Sequence, residues 1–229
     1  MFAKICVSIT AENAKLMSQK AREALSSGAD FVEIRFDSLR PGALEAALDA
    51  VKDLKSKSVF TIRAASQGGN FAGSEPDRIQ WIRRIAEQRP MLIDVELETL
   101  KNNDDLADFL DGSRTSILVS WHDFQKTPPT NEIADILAEM RVYSNFVKIV
   151  TMAKSTEDSL RLLEMYEHTR DLHPIIFAMG EFGVISRVLC TIIGNAPFTY
   201  AGLENAIAPG QLTLKQMRKL YDGMADTRA

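Results

Sequence analysis

The chain has 229 residues, 45% of them hydrophobic and 25% charged, with a formal net charge of -4; this is the composition of a globular protein with a packed core, not of a disordered or fibrous chain. No stretch concentrates lysine and arginine into a field for nucleic acid, and no apolar stretch approaches the ~20 residues that span a bilayer. Cys6, Cys190 and three histidines are too few for an all-Cys/His zinc site, so both cysteines are read as buried thiols.

In chain order, apolar β-branched runs alternate with amphipathic stretches, the pattern of parallel strands covered by helices. The first nine residues are too short and too soon interrupted for a secretory segment, so a cytoplasmic location is expected. A strand is predicted over 4–9, followed by a helix over 13–27 that Gly28 stops. A strand over 31–36 leads to a helix over 43–55, and one over 58–62 leads through the glycine-rich loop 68–73 to a helix over 77–88. The pairs 92–97 with 104–110 and 116–120 with 131–143 follow, the latter helix with Thr130 as its start signal. Then come 146–150 with 156–168, started by Ser155, 174–178 with 184–193, and 198–201 with 213–224, opened by Thr213. Eight strand and helix units with no linker between them predict one (β/α)8 TIM barrel over residues 1–229; no dinucleotide fingerprint favours an open doubly wound sheet.

Active sites of such barrels sit at the C-terminal ends of the strands. Polar groups collect there: Ser8 on the first strand, Glu33, Arg35 and Asp37 on the second, Arg63 at the end of the third, and Asp94, Glu96 and Glu98 on the fourth. His122 and Asp123 follow the fifth, Lys148 lies on the sixth, Met179 ends the seventh, and Arg187 and Gln211 come later. Alternation puts Glu33, Arg35 and Asp37 on one strand face, which predicts a mutually paired network; a salt-bridged strand end serving stability alone is the plainer alternative.

Lys148 stands in the run Phe146-Val147-Lys148-Ile149-Val150-Thr151. Either its stem lies along the core and its head reaches water, or desolvation lowers its pKa and frees a neutral amine to attack a carbonyl. His122 belongs to the preceding strand, ~4.8 Å away in a parallel sheet, whereas His168 and His173 sit at a helix end and a connection and suit surface or capping roles. An imine withdraws electrons from the neighbouring C–H, and a histidine near neutrality can remove that proton and return one. Arg63 and Arg187 can clamp a carboxylate. The residues alone thus point to a Schiff-base lyase, dehydratase or aldolase acting on a small carboxylated carbonyl compound.

Taken together and in order, several segments resemble the type I 3-dehydroquinate dehydratase family of the shikimate pathway. They are Lys4-Ile5-Cys6-Val7-Ser8, Glu33-Ile34-Arg35-Phe36-Asp37, Phe60-Thr61-Ile62-Arg63 with Gly68-Gly69, and Ser120-Trp121-His122-Asp123-Phe124. Val147-Lys148-Ile149, Met179-Gly180, Gly183-Val184-Ile185-Ser186-Arg187 and Ala208-Pro209-Gly210-Gln211 complete the series. The resemblance implies that Lys148 forms the Schiff base with 3-dehydroquinate and that His122 is proton acceptor and donor in the loss of water to 3-dehydroshikimate. It assigns Ser8, Glu33, Arg35, Arg63, Arg187 and Gln211 to substrate, with Arg187 on the carboxylate, and packs Met179 against the lysine. It implies a homodimer and calls for no metal or organic cofactor.

Two positions depart from the family's bacterial pattern. Gln67 stands where a glutamate often precedes the paired glycines, so an amide replaces a carboxylate that could charge and orient His122; Asp94, Glu96 or another strand-end carboxylate is left to take that role. Ile207 replaces a serine in the closing loop. Three rival readings stand beside it: a divalent-metal barrel using Glu33, Asp37, Glu96, Glu98, His122 and Asp123, which the arginines would oppose; a class I aldolase of the same fold sharing Lys148; and a non-catalytic barrel that only binds a carboxylated metabolite, for which Gln67 is the support.

Overall fold

Val, Ile and Phe suit the pleated, doubly covered surface of a parallel sheet. Seven runs that carry them form the strands β1 (Ile5–Thr10), β2 (Phe31–Arg35), β3 (Ser58–Thr61), β4 (Leu92–Glu96), β5 (Ile117–Asp123), β6 (Phe146–Met152) and β7 (His173–Met179), and the short Thr-Tyr-Ala run forms β8 (Thr199–Ala201). The structure, a computed structural model, describes residues 3–205 and 208–226. The strands pair in parallel in the order β7-β6-β5-β4-β3-β2-β1-β8. Between β7 and β8 no strand ladder is found among the described residues; the nearly closed barrel is bridged there by side chains, the rings of Phe177 and Tyr200 lying 6.2 Å apart.

Helices cover the outside: α1 (Ala14–Ser26), α2 (Leu44–Val51), α3 (Glu75–Ala86), α4 (Leu97–Lys101), α5 (Asp104–Gly112), α6 (Thr130–Met140), α7 (Thr156–Glu164), α8 (Val184–Leu189) and α9 (Leu214–Asp226). Each long helix is amphipathic; α1 buries Met17, Ala21 and Ala24, one stripe at helical spacing. None of the helices is long and apolar enough to cross a membrane, among the described residues.

Several boundaries move for identifiable reasons. Helix α3 starts two residues before the expected Asp77, because Ser74 and Asp77 form a reciprocal capping box. Thr130 does not cap α6; it is the first helical residue, and Pro129 precedes it as the N-cap. Thr213 does open α9, its Oγ1 accepting from the Gln216 backbone N–H while Gln216 Oε1 accepts from the Thr213 backbone N–H. Helix α4 was not anticipated: it follows β4 at once, burying Leu97 and Leu100. The fifth strand runs on to Asp123, so His122 is held in register opposite Val150 instead of in a loop.

Two glycines shape the rim. A Cβ on Gly69 would lie 1.8 Å from the Arg63 carbonyl oxygen, so only glycine lets the loop after β3 fold back tightly enough to bring Gln67 to the barrel mouth. Gly210 has φ +68°, and a Cβ there would lie 2.1 Å from the Gly180 carbonyl oxygen. That close approach, with the Gly180 N–H donating to Pro209 at 3.1 Å, seats the closing loop on the end of β7.

Candidate active site

At the C-terminal end of the barrel one cavity gathers every residue singled out as a candidate for catalysis or substrate. Ser8, Glu33, Arg35, Arg63, Gln67, His122, Lys148, Met179, Arg187 and Gln211 all line it, with Phe124, Val150, Phe177, Tyr200 and the closing-loop residues Ala208 and Pro209. Ile207 lies outside the described residues.

Lys148 is 4% exposed, so its head does not snorkel to water. Nor is its site the apolar one that its strand suggested. Nζ donates to Asp94 Oδ2 at 2.7 Å and Glu33 Oε1 at 3.2 Å, and lies 4.5 Å from the centre of the Tyr200 ring. Register lines up the neighbours, with Ser8 on β1 beside Glu33 on β2, Thr61 on β3 opposite Asp94 on β4 and Ser120 on β5 opposite Lys148 on β6, while the bonds of Lys148 itself reach across the barrel interior.

Each acid is multiply held, as buried carboxylates must be. Asp94 also accepts from Ser120 Oγ and Arg63 Nη2, both at 2.6 Å. Burial pushes its carboxyl up, but Arg63 and Lys148 beside it overcome this and hold it well below the usual carboxylate range. Glu33 accepts from Ser8 Oγ at 2.8 Å. Arg63 continues the network to Glu96 at 3.0 Å, and Glu96 in turn accepts from Arg78 of α3 at 2.8 Å. The guanidinium of Arg63 therefore positions acids as well as bordering the cavity.

The single network expected of Glu33, Arg35 and Asp37 is in fact divided. Glu33 turns to Lys148, whereas Asp37 pairs with Arg35 at 2.7 Å and accepts from the backbone N–H of Asn70 at 3.0 Å, tying down the glycine-rich loop. The acids of the metal reading are likewise dispersed. Asp123 accepts from the backbone N–H groups of Gln125 and Lys126, and no group of three or more histidine, cysteine or acidic residues suited to a metal is found among the described residues.

His122 is half-buried, with Nδ1 2.9 Å from Gln67 Oε1 and its ring stacked on Phe124 at 6.1 Å. Burial, then the charges of Arg63 and Lys148, push its pKa well below the usual histidine value, with Asp94 acting the other way. The shift favours the neutral imidazole, the form that accepts a proton.

Arg187, on α8, is 2% exposed and has no acid partner among the described residues. Its guanidinium lies over the Phe177 ring at 4.3 Å, and Nε has no hydrogen-bond partner among the described residues. Burial lowers its pKa to about 10, which still leaves it cationic at neutral pH. A buried cation with an unmet donor, bordering a cavity, is suited to an anion.

Asp94 as a contact of the lysine, Ser120 as the hydroxyl that holds Asp94, and Tyr200 as the ring beside Nζ were not singled out. Alternation on β4 and β5 carried a signal for the first two, since Asp94 shares a strand face with Glu96 and Ser120 shares one with His122. Tyr200 left no such signal.

Residues 5–227 match the family described as type I 3-dehydroquinase. The chain is 33% identical over 220 residues to a 3-dehydroquinate dehydratase of Methanopyrus kandleri, covering 95% of this chain and 98% of that one. It is 35% identical over 213 residues to the one from Thermococcus gammatolerans, covering 93% and 94%. Among solved structures, the type I 3-dehydroquinate dehydratase of Clostridium difficile with covalently modified comenic acid superposes with a TM-score of 0.87 at 28% identity, covering 99% of this chain and 94% of that one. With its motifs, barrel and matched length in accord, the chain belongs to the type I 3-dehydroquinase family.

Proposed function

We infer that the protein dehydrates 3-dehydroquinate to 3-dehydroshikimate through an imine on Lys148. The observation that carries this reading is the placement of Lys148 Nζ between two buried carboxylates, in the same cavity as His122 and Arg187. The amine attacks the ketone in its neutral form; Glu33 Oε1 lies within hydrogen-bond reach to take up a proton leaving it, while Asp94, whose basicity Arg63 and Lys148 suppress, holds the nitrogen in place. Carbinolamine formation and loss of water then give the protonated imine, which acidifies the adjacent C–H. Neutral His122 takes that proton and returns one to the departing hydroxyl, so the proton count closes within the site. Hydrolysis of the imine releases the conjugated enone and regenerates the amine. Mixing the protein with 3-dehydroquinate should produce the enone's ultraviolet absorbance; no rise under any pH tried would refute the activity.

Arg187 is assigned to the substrate carboxylate, supported by its burial, its unmet Nε and the absence of an acid partner among the described residues. This gives an unusual expectation for Arg187→Met. Loss of a charge-assisted pair should raise KM by about 10- to 100-fold, while removal of an unpaired buried cation leaves the unfolding midpoint unchanged or higher. Steady-state kinetics beside a thermal melt checks both; an unaltered KM would remove Arg187 from the substrate site. Homodimeric assembly, a single domain and a cytoplasmic location belong to the same reading and are supported by the family resemblance; sedimentation equilibrium checks the first.

A further inference from the structure

The amide at position 67 leaves a specific problem. A carboxylate beside Nδ1 can only accept, so it fixes one histidine tautomer; a glutamine can present either its oxygen or its NH2 group to the ring, and the two differ by a flip of the amide. With the oxygen inward, Nδ1 carries the hydrogen and Nε2 keeps its lone pair. With the NH2 inward, Nδ1 must accept and the hydrogen moves to Nε2, which then cannot remove a proton from anything.

Glu98 distinguishes the two arrangements. It is the second residue of α4, the short helix that follows β4, and its Oε2 lies 2.5 Å from Gln67 Nε2. Gln67 Oε1 faces His122 Nδ1 at 2.9 Å on the other side. An ionised carboxylate is an acceptor only, so it selects the NH2 end of the amide and turns the oxygen toward the ring. We propose that Glu98 is a positioning residue for the dehydration: through Gln67 it fixes His122 in the Nδ1–H tautomer, leaving Nε2 as the base. The proposal rests on the dehydratase reading for its kinetic consequence but not for the tautomer itself.

Neither Asp94 nor Glu96, the carboxylates expected to replace the missing glutamate, hydrogen-bonds to His122. Asp94 is held by Arg63, Ser120 and Lys148, and Glu96 by Arg63 and Arg78. The chain thus reaches His122 with an external carboxylate through an amide. The other charges acting on the ring, Arg63, Lys148, Asp94 and Arg35, alter how readily it takes a proton, but none of them hydrogen-bonds to Nδ1.

The test uses Glu98→Leu, Gln67→Glu and the double variant, with His122 ring nitrogens read by 15N NMR on the substrate-free protein. Glu98 is exposed, and a thermal melt confirms that each variant is folded. Glu98→Leu should shift His122 toward the Nε2–H tautomer and lower kcat by about two- to tenfold, the worth of one hydrogen bond, with KM unchanged. Adding Gln67→Glu to Glu98→Leu should restore the Nδ1–H signal and kcat, because a carboxylate at 67 needs no second residue to orient it. Gln67→Glu with Glu98 retained should do less well than the double variant, since two carboxylates would then face each other. An unchanged tautomer in Glu98→Leu, or failure of the double variant to restore it, would overturn the proposal. If the parent protein did not dehydrate 3-dehydroquinate, the dehydratase reading would fall while the NMR result still judged the relay.

Discussion

Lys148→Ala should abolish turnover of 3-dehydroquinate, with a loss on the order of 10⁴- to 10⁶-fold, the scale seen when a covalent nucleophile is removed. The size follows from the site's construction. Without the amine no imine forms, and His122 would have to remove a proton next to a bare ketone. Among the described residues no other lysine lines the cavity to take over. His122→Ala should fail differently: the imine still forms, but elimination slows by on the order of 10²- to 10⁴-fold, so the covalent species accumulates. Intact-protein mass after reduction separates the two variants, and equal behaviour would contradict the division of labour. The pH dependence carries the same assignment. Since the His122 pKa is pushed well below its usual value, chiefly by burial and then by Arg63 and Lys148, its base form should persist from neutral into mildly acidic pH. Rate governed by this group should fall only when acid protonates the ring.

Asp94→Asn should cost about 3–5 kcal/mol of stability, the scale for breaking a buried ion pair from one side. For a chain of this size that lowers the melting temperature by roughly 6–20 °C. The acid is buried and bonded to Arg63, Lys148 and Ser120. An asparagine there keeps the shape but removes the charge, and it sets an NH2 group where two cations donate. The pH dependence has a definite sign. The folded-state pKa of Asp94 is depressed, so its contribution is fully present above the unfolded carboxylate value of about 4 and is lost as pH falls below it toward the folded value. Melts from pH 7 to pH 3 should therefore show the gap between parent and variant closing in acid. A variant that melted within about 2 °C of the parent at pH 7 would mean that Arg63 and Lys148 do not depend on this carboxylate.

Much of this site was legible in the sequence because strand alternation and barrel geometry act on residue type directly. A charged side chain at Lys148 or Glu33, flanked by Val and Ile on a doubly covered strand, has to face the barrel interior, and the strand ends then bring it to one cavity. What the sequence did not disclose are partnerships set by side-chain reach across several strands. That Glu33 would turn to Lys148 and leave Arg35 with Asp37 depends on distances between β2 and β6 through the barrel interior. Likewise, Lys148 in its apolar run suggested a desolvated amine, yet the two carboxylates that hold it come from β2 and β4, far away in the chain. Local features were missed where a short signal competed with a longer one: α4 was absorbed into the end of β4, and the capping box of Ser74 and Asp77 was passed over for the stronger periodicity that follows. The group that compensates for Gln67 was legible only as a set of candidates, since Glu98 reaches it from a helix that the pattern did not show.

The central claim is that Lys148 is the imine-forming amine for this substrate, and borohydride reduction tests it most directly. The parent protein is incubated with 3-dehydroquinate, reduced, digested and analysed by mass spectrometry. The account requires a stable secondary-amine adduct on the peptide containing Lys148, formed only when substrate is present. Turnover of 3-dehydroquinate with no adduct, or an adduct on a different lysine, would contradict it.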